Sequence, residues 1–191
     1  QKKGLLFNEK LLPHPISPYS IGKYAGELYA QMHMKHMKKP IKILRPFNVF
    51  GETQSEKAVI SELVENFLNN SVVRITKGNQ TREFNYVGNT VNLIAQVINT
   101  KSFFNNITNI SDGNEIAIKD LARKIKRITN SKSKLLIGGL KERPTEIYKM
   151  KASISKMKSF LINKKKLISF EEALKKTIIW HKNKNKLNSI F

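Results

Sequence analysis

The chain has 191 residues, 40% of them apolar, no cysteine and a formal net charge of +21. That size allows one domain, or a domain and a half, with a real core; the composition excludes disulfides and thiolate-metal sites, and no apolar run could span a bilayer. The charge would attract phosphates or nucleic acid, but 29 of the 35 basic residues are Lys and no basic-aromatic motif accompanies them, so compositional bias is the better reading and nucleic acid is not expected as a partner.

In chain order, residues 1–16 read as a loop stiffened by Pro13-His14-Pro15. The start soon turns polar, so no signal peptide is expected in it, and its first residue, Gln1, is expected of a fragment or a processed or trimmed product. With the absence of a membrane span, this leads to the expectation of a cytoplasmic protein. Ser17 and Pro18 are start signals for a helix reaching about Met37. On that helix Tyr19 and Lys23 stand four residues apart, so both project from one face. A phenol is a poor base at neutral pH, and a nearby ammonium favours its ionised form. Such a phenol can take a proton from a hydroxyl, although the bare pair is common on helices. His33 and His36 share the same helix but lack the further ligands a metal needs.

Ile41 to Arg45 reads as a strand after that helix, the order of a parallel α/β unit. The segment from Arg45 to Gly51 follows its carboxyl end, where open α/β sheets bind ligands. Ser55 is a cap signal for a second helix with Val59, Ile60, Leu63, Val64, Phe67 and Leu68 on one stripe, closed by Asn69-Asn70-Ser71. Short strands are expected at 72–76 and 81–87, a helix from about Asn89 to Asn99, and a strand at 107–110 followed by a turn at Ser111-Asp112-Gly113-Asn114. Ile118 to Thr129 is amphipathic, with Leu121, Ala122, Ile125 and Ile128 inward. Lys134 to Ile137 is a strand, Arg143 to Glu146 a loop, and Ser153 to Leu161 a short helix. Ser169 caps the last helix, Trp180 is expected to pack it onto the core, and the polar tail after Lys182 is expected to fray.

Four of these segments occur in an informative order: Pro18-Tyr19-Ser20-Ile21-Gly22-Lys23 with Glu27, then Arg45-Pro46-Phe47-Asn48-Val49-Phe50-Gly51, then Gly78 to Val87, then Arg143-Pro144-Thr145-Glu146. Together they resemble the NAD-dependent nucleotide-sugar epimerase/dehydratase family, the extended short-chain dehydrogenase/reductases. Asn109-Ile110-Ser111-Asp112-Gly113 and the late Ser153-Ile154-Ser155-Lys156 with Trp180 match further family segments. The resemblance implies an α/β fold: the C-terminal part of a Rossmann-type parallel sheet plus a small α+β substrate-binding lobe. Residues 1–54, with 81–110 returning in part, would belong to the NAD-binding domain, 55–182 mainly to the substrate lobe, and 183–191 to a polar tail.

The resemblance also implies roles. Tyr19 would be the catalytic base and acid, and Lys23 would hold the nicotinamide ribose of bound NAD and tune Tyr19. Pro46 would flank the nicotinamide, and Asn48 would contact the substrate diphosphate. Arg82 and Arg143 would pair with the nucleotide phosphates, and Glu146 would face the nucleotide ribose. The implied substrate is a nucleotide sugar, the implied reaction oxidation at C4 of a UDP-hexose and re-reduction, and the implied partner a second copy packed through the Tyr19 helix. A 4,6-dehydratase or reductase of the same family is the alternative, and a basic binding protein or non-catalytic interaction protein the alternative of another class. The family's glycine-rich turn and its catalytic Ser or Thr have no match here, Ser153 stands where Asp is frequent, and Glu52-Thr53 replaces Pro-Gly or Pro-Arg. The expectation is therefore the back half of such an enzyme, binding NAD poorly and inactive by itself.

Overall fold

The computed structural model describes residues 6–69, 72–98, 100, 105–144, 146–160 and 167–188. The first helix, α1 (Pro18–His36), starts where its sequence dictates. Ser17 and Ser20 form a reciprocal capping box: the Ser20 amide donates to Ser17 Oγ at 3.2 Å and the Ser17 amide to Ser20 Oγ at 3.0 Å. Pro18 occupies the first turn, where its missing N–H leaves no hydrogen bond unmade.

Strand β1 (Lys42–Pro46) lies parallel to β6 (Asn106–Ile110), with Lys42 opposite Asn106 and Pro46 opposite Ile110. Between them come β2 (Val49–Phe50), α2 (Val59–Leu68), β3 (Val73–Ile75), β4 (Thr81–Glu83), β5 (Asn85–Tyr86) and α3 (Val87–Ile98). After them come β7 (Glu115–Ala117), α4 (Ile118–Thr129), β8 (Leu135–Ile137), α5 (Ser155–Phe160) and α6 (Phe170–Asn188). The β2–β5 and β3–β8 pairs are parallel and β4–β7 is antiparallel. The strand before Lys77 to Gln80 forms as β3, whereas the expected strand 81–87 divides into β4 and β5 with Val87 already helical; β3 and β4 each pair with a later strand and not with the other. Their loop instead caps α4. The Ile118 amide donates to the Gln80 carbonyl at 3.1 Å and the Lys119 amide to the Gly78 carbonyl at 3.0 Å, two of the donors a helix start leaves open. Gly78 holds φ +66°, and a Cβ there would sit 2.8 Å from the Lys119 nitrogen, so glycine is required.

Two apolar clusters organise these elements. The larger joins α2, α4, α6 and β3 through Ile60, Val64, Phe67, Val73, Leu121, Ile125, Leu174 and Ile178, all buried. The smaller joins α3, β1, β6 and α5 through Leu93, Val97, Ile110 and Met157, with Leu44 packed against them. Lys42 Nζ ties β1 to the end of α3, donating to the carbonyls of Val97 at 2.9 Å and Thr100 at 2.8 Å. A cation there complements the helix dipole.

Several expectations are corrected. Ser55 does not cap α2: the helix starts after Ala58, and Ser55 accepts the Ala58 amide in a preceding turn. α3 begins at Val87, two residues early, because the Tyr86 ring packs over Gly88 and the chain passes from strand to helix without a loop. α6 continues through Asn188, past the point where fraying was expected. Asn185 Nδ2 donates to Glu65 at 2.9 Å and Lys184 pairs with Glu56, which anchors that stretch to α2 and the turn before it. Trp180 is only half-buried, because the helical repeat turns Ala173, Leu174, Thr177, Ile178 and His181 inward instead. Leu5 and the residues before it, Asn70, Ser71, Asn99, Thr145, Leu161 and 189–191 lie outside the described residues.

Candidate active site

The helix that carries the candidate acid-base pair has no buried residue. Tyr19 is 75% exposed, and Lys23 Nζ lies 5.6 Å from the centre of its ring. The one-turn spacing thus brings phenol and ammonium onto one open face, as expected. The His33 ring lies 4.7 Å from that of Tyr29, tilted by 58°, and among the described residues no group of three His, Cys, Asp or Glu is arranged to hold a metal.

What fixes α1 to the sheet is an ion pair that the sequence pattern did not single out. Arg45 donates Nε to Glu27 Oε2 at 2.8 Å and Nη2 to Oε1 at 2.6 Å, a two-pronged contact with both side chains mostly buried. That hydrogen bond to Glu27 holds the Arg45 guanidinium above its ordinary range, against the opposing effect of burial. Arg45 Nη1 reaches the Glu9 carbonyl at 3.3 Å, and the Glu9 carboxylate accepts the Asn109 amide at 3.0 Å. One cluster thus joins the N-terminal loop, α1, β1 and β6. Glu27 and Arg45 stood in the quoted motifs without a role; their opposite charges were the available signal.

Pro46 follows Arg45 at the carboxyl end of β1, and Asn48 is exposed just beyond it. Asn48 Nδ2 donates to the Glu83 carbonyl at 3.0 Å, which sets Asn48 beside β4. Arg82, on β4, turns away from its neighbour Glu83. Its Nη1 donates to the Thr81 carbonyl at 2.7 Å and to the Ile147 carbonyl, and its Nη2 pairs with the Glu146 carboxylate. The Glu146 amide in turn donates to the Arg143 carbonyl at 3.0 Å, and the Arg143 side chain is exposed. The links are thus two separate sets: Glu27 with Arg45 on the Tyr19 side, and Asn48 with the Glu83 carbonyl and Arg82 with Glu146 on the other, joined between Arg45 and Asn48 only by the chain itself.

Behind the second set lies a polar cluster on which the sequence reading placed no role. Glu83, Ser111 and Asn85 are fully or almost fully buried. Burial is the main influence raising the Glu83 carboxyl above its usual range, opposed by the Ser111 hydroxyl. Asp112 is raised for the same main reason. The signal available was Glu83 itself, an acid in a strand next to buried Phe84.

The exposed Tyr19 and Lys23, one turn apart and tied to the strand end that carries Pro46, suit the nicotinamide-ribose end of NAD: a reachable ammonium donor and a reachable hydroxyl. Among the described residues no helix is long and apolar enough to cross a membrane.

Residues 3–111 match the model of the NAD dependent epimerase/dehydratase family. A Methanocaldococcus jannaschii protein provisionally named UDP-glucose 4-epimerase is 33% identical over 177 residues, 91% of this chain and 56% of that protein. A dTDP-D-glucose 4,6-dehydratase of Dictyostelium discoideum is 28% identical over 92% of this chain and 48% of its own length. This chain thus spans about half the length of these curated relatives. Among solved structures, the UDP-glucose 4-epimerase of Thermotoga maritima with UDP-glucose superposes with a TM-score of 0.86 at 26% identity, over 97% of this chain and 60% of that one. The UDP-N-acetylglucosamine 4-epimerase of Methanobrevibacter ruminantium, in complex with UDP-N-acetylmuramic acid, gives 0.85 at 28%, over 95% and 57%. The parallel α/β architecture is the one these chains share.

Proposed function

Because the chain belongs to the NAD dependent epimerase/dehydratase family, we propose that it serves the oxidation of a UDP-hexose at C4 and re-reduction of the ketone from its other face. One observation carries this reading. Tyr19 and Lys23 share an open face of a helix that Glu27 and Arg45 pin to the strand delivering Pro46 and Asn48. Tyr19 takes the proton of the sugar hydroxyl and later returns it to the new alkoxide. Lys23 would donate to the nicotinamide ribose, and it sets positive charge beside the phenol that gains negative charge. When bound, NAD supplies the acceptance and return of hydride. Pro46 would flank the nicotinamide.

Asn48, Arg82 and Arg143 hold the nucleotide diphosphate in this proposal. Arg82 already grips Glu146, so an incoming phosphate shares that guanidinium or displaces the carboxylate, which leaves Glu146 to meet the nucleotide ribose. We assign residues 1–54 and part of 81–110 to the cofactor side, and mainly 55–182 to the substrate side; the two apolar clusters both cross that boundary, since Phe50 and Phe84 belong to the larger and Met157 to the smaller. A dimer through α1 is the matching assembly, because Ile21, Leu28, Tyr29 and Met32 are exposed on it. Sedimentation tests it.

The test is UDP binding by calorimetry together with product analysis from UDP-hexoses and NAD. Arg143→Ala is expected to weaken UDP binding, and Tyr19→Phe to leave it unchanged while lowering turnover by about 10²–10⁴-fold wherever turnover is measured. The 191-residue chain alone is expected to bind UDP without turnover. A product that has lost water assigns the dehydratase alternative; no UDP binding at all overturns the proposal.

A further inference from the structure

The buried cluster behind Asn48 and Arg82 has a proton count that its residue types alone do not satisfy. Ser111 Oγ lies 2.8 Å from Glu83 Oε2 and 3.0 Å from Asn85 Oδ1, two acceptor oxygens within hydrogen-bond distance of one hydroxyl. A hydroxyl carries one proton. Ser111 Oγ also accepts the Gly113 amide at 3.0 Å, so that amide cannot supply the missing proton to either oxygen. The Asn85 amide has no freedom to turn its nitrogen toward Ser111. Its Oδ1 already accepts the Asp112 amide at 2.8 Å, and its Nδ2 donates to the Phe47 carbonyl at 3.0 Å. With Glu83 ionised, one of the two Ser111 contacts sets two acceptors against each other with nothing between them. With Glu83 protonated, both Ser111 contacts carry a proton: Glu83 Oε2 donates to Ser111, and Ser111 donates to Asn85, while Glu83 Oε1 is buried without a hydrogen-bond partner.

We propose that Glu83 is a neutral carboxylic acid at neutral pH and a positioning residue for the phosphate-binding side of the site, because its proton closes a ring of hydrogen bonds around Asn48. The ring runs from the Glu83 carboxyl to Ser111 and on to Asn85. It returns through Asn85 Nδ2 to the Phe47 carbonyl and through the Asn85 amide to the Asn48 carbonyl at 2.8 Å. Asn48 Nδ2 closes it on the Glu83 carbonyl at 3.0 Å. Arg82 precedes Glu83 on the same strand, so the ring sets that guanidinium's origin too.

The surrounding charges agree. Burial is the largest influence on the carboxyl and favours its neutral form; the Ser111 hydroxyl and then the Ala152 amide oppose it, Asp112 adds to it, and Lys151 opposes it. Across β4–β7, Glu115 stands directly opposite Glu83, and two like charges in that relation repel. Glu115 turns to the Thr81 hydroxyl and to Lys151 at 3.9 Å, and so keeps its charge satisfied elsewhere.

The positioning role rests on the proposed nucleotide-sugar reading; the protonation does not, and the experiment separates them. Carboxyl ¹³C NMR of the Glu-labelled chain, with Glu83 assigned through its backbone, is expected to show the carboxyl still protonated at pH ~7, far above an ordinary Glu near ~4.3. Titration in the ordinary range overturns the proposal. The sign for stability follows. A raised carboxyl contributes full stability below its unfolded value and loses it as pH rises toward the folded one. The urea midpoint of the natural chain is therefore expected to fall across about pH 5 to 8, with Glu83→Gln, which keeps a donor in place of the O–H, falling less. For UDP binding, Glu83→Gln is expected to retain affinity at all pH values tested, while Glu83→Asp, too short to reach Ser111, loses it. Equal affinity in Gln and Asp variants overturns the positioning role. A natural chain that binds no UDP overturns the nucleotide-sugar reading and leaves the NMR titration to decide the protonation.

Discussion

The Glu27–Arg45 pair shows how much one contact can determine here. α1 has no fully buried residue, and its strongest link to the sheet is a charge-assisted fork with side-chain exposures of 11% for Glu27 and 22% for Arg45. Removing one partner leaves the other poorly solvated and unpaired, which costs more than the pair contributed. Glu27→Gln is expected to lower stability by about 1.5–3 kcal/mol, read from urea unfolding. A larger increase in hydrogen exchange in α1 than in α4 should accompany it. Arg45→Lys keeps the charge but not the fork and should fall between the two. An unchanged midpoint in Glu27→Gln would show that α1 is held by something else.

At the scale of elements, the helices with capping and stripe signals formed where those signals lie, and the exceptions have local causes. Ser17 caps α1 two residues before the candidate base, so it links helix initiation to the site. Ser17→Ala is expected to cost about 1 kcal/mol and to loosen the turn that bears Tyr19, visible as faster exchange of the Ser20 and Ile21 amides. α4 has no such side-chain cap; its first amides are taken by the Gly78–Gln80 loop, and its stability comes from the apolar stripe. Leu121 is fully buried among α2 and α6, and Leu121→Ala should cost about 2–5 kcal/mol in the same urea assay, with a spread set by how far the cavity relaxes.

At the scale of the whole molecule, a net charge of +21 acts against compactness. The acidic groups are spent locally: Glu171 alone serves Lys124, Arg127 and Lys175. Most of the remaining positive charge is solvated, so added salt should relieve it. Raising sodium chloride from about 0.01 M to 0.15 M is expected to raise the thermal midpoint, the opposite of what dominance by surface ion pairs would give. A lower midpoint in salt would assign those pairs the larger role.

The amino-acid sequence by itself determined the elements whose causes are local. Ser17-Pro18 placed the start of α1, the apolar stripe of Ile118 to Thr129 placed α4, and the four spacing of Tyr19 and Lys23 put phenol and ammonium on one face. Each follows from helical repeat or from a cap one turn away. The tertiary structure alone decided what depends on residues far apart in the chain. It paired Arg45 with Glu27, turned Arg82 to Glu146 instead of to its neighbour, and buried Glu83 against Ser111 and Asn85. Such partners are chosen by which strands lie side by side and how much water they exclude. No periodicity in the sequence records that.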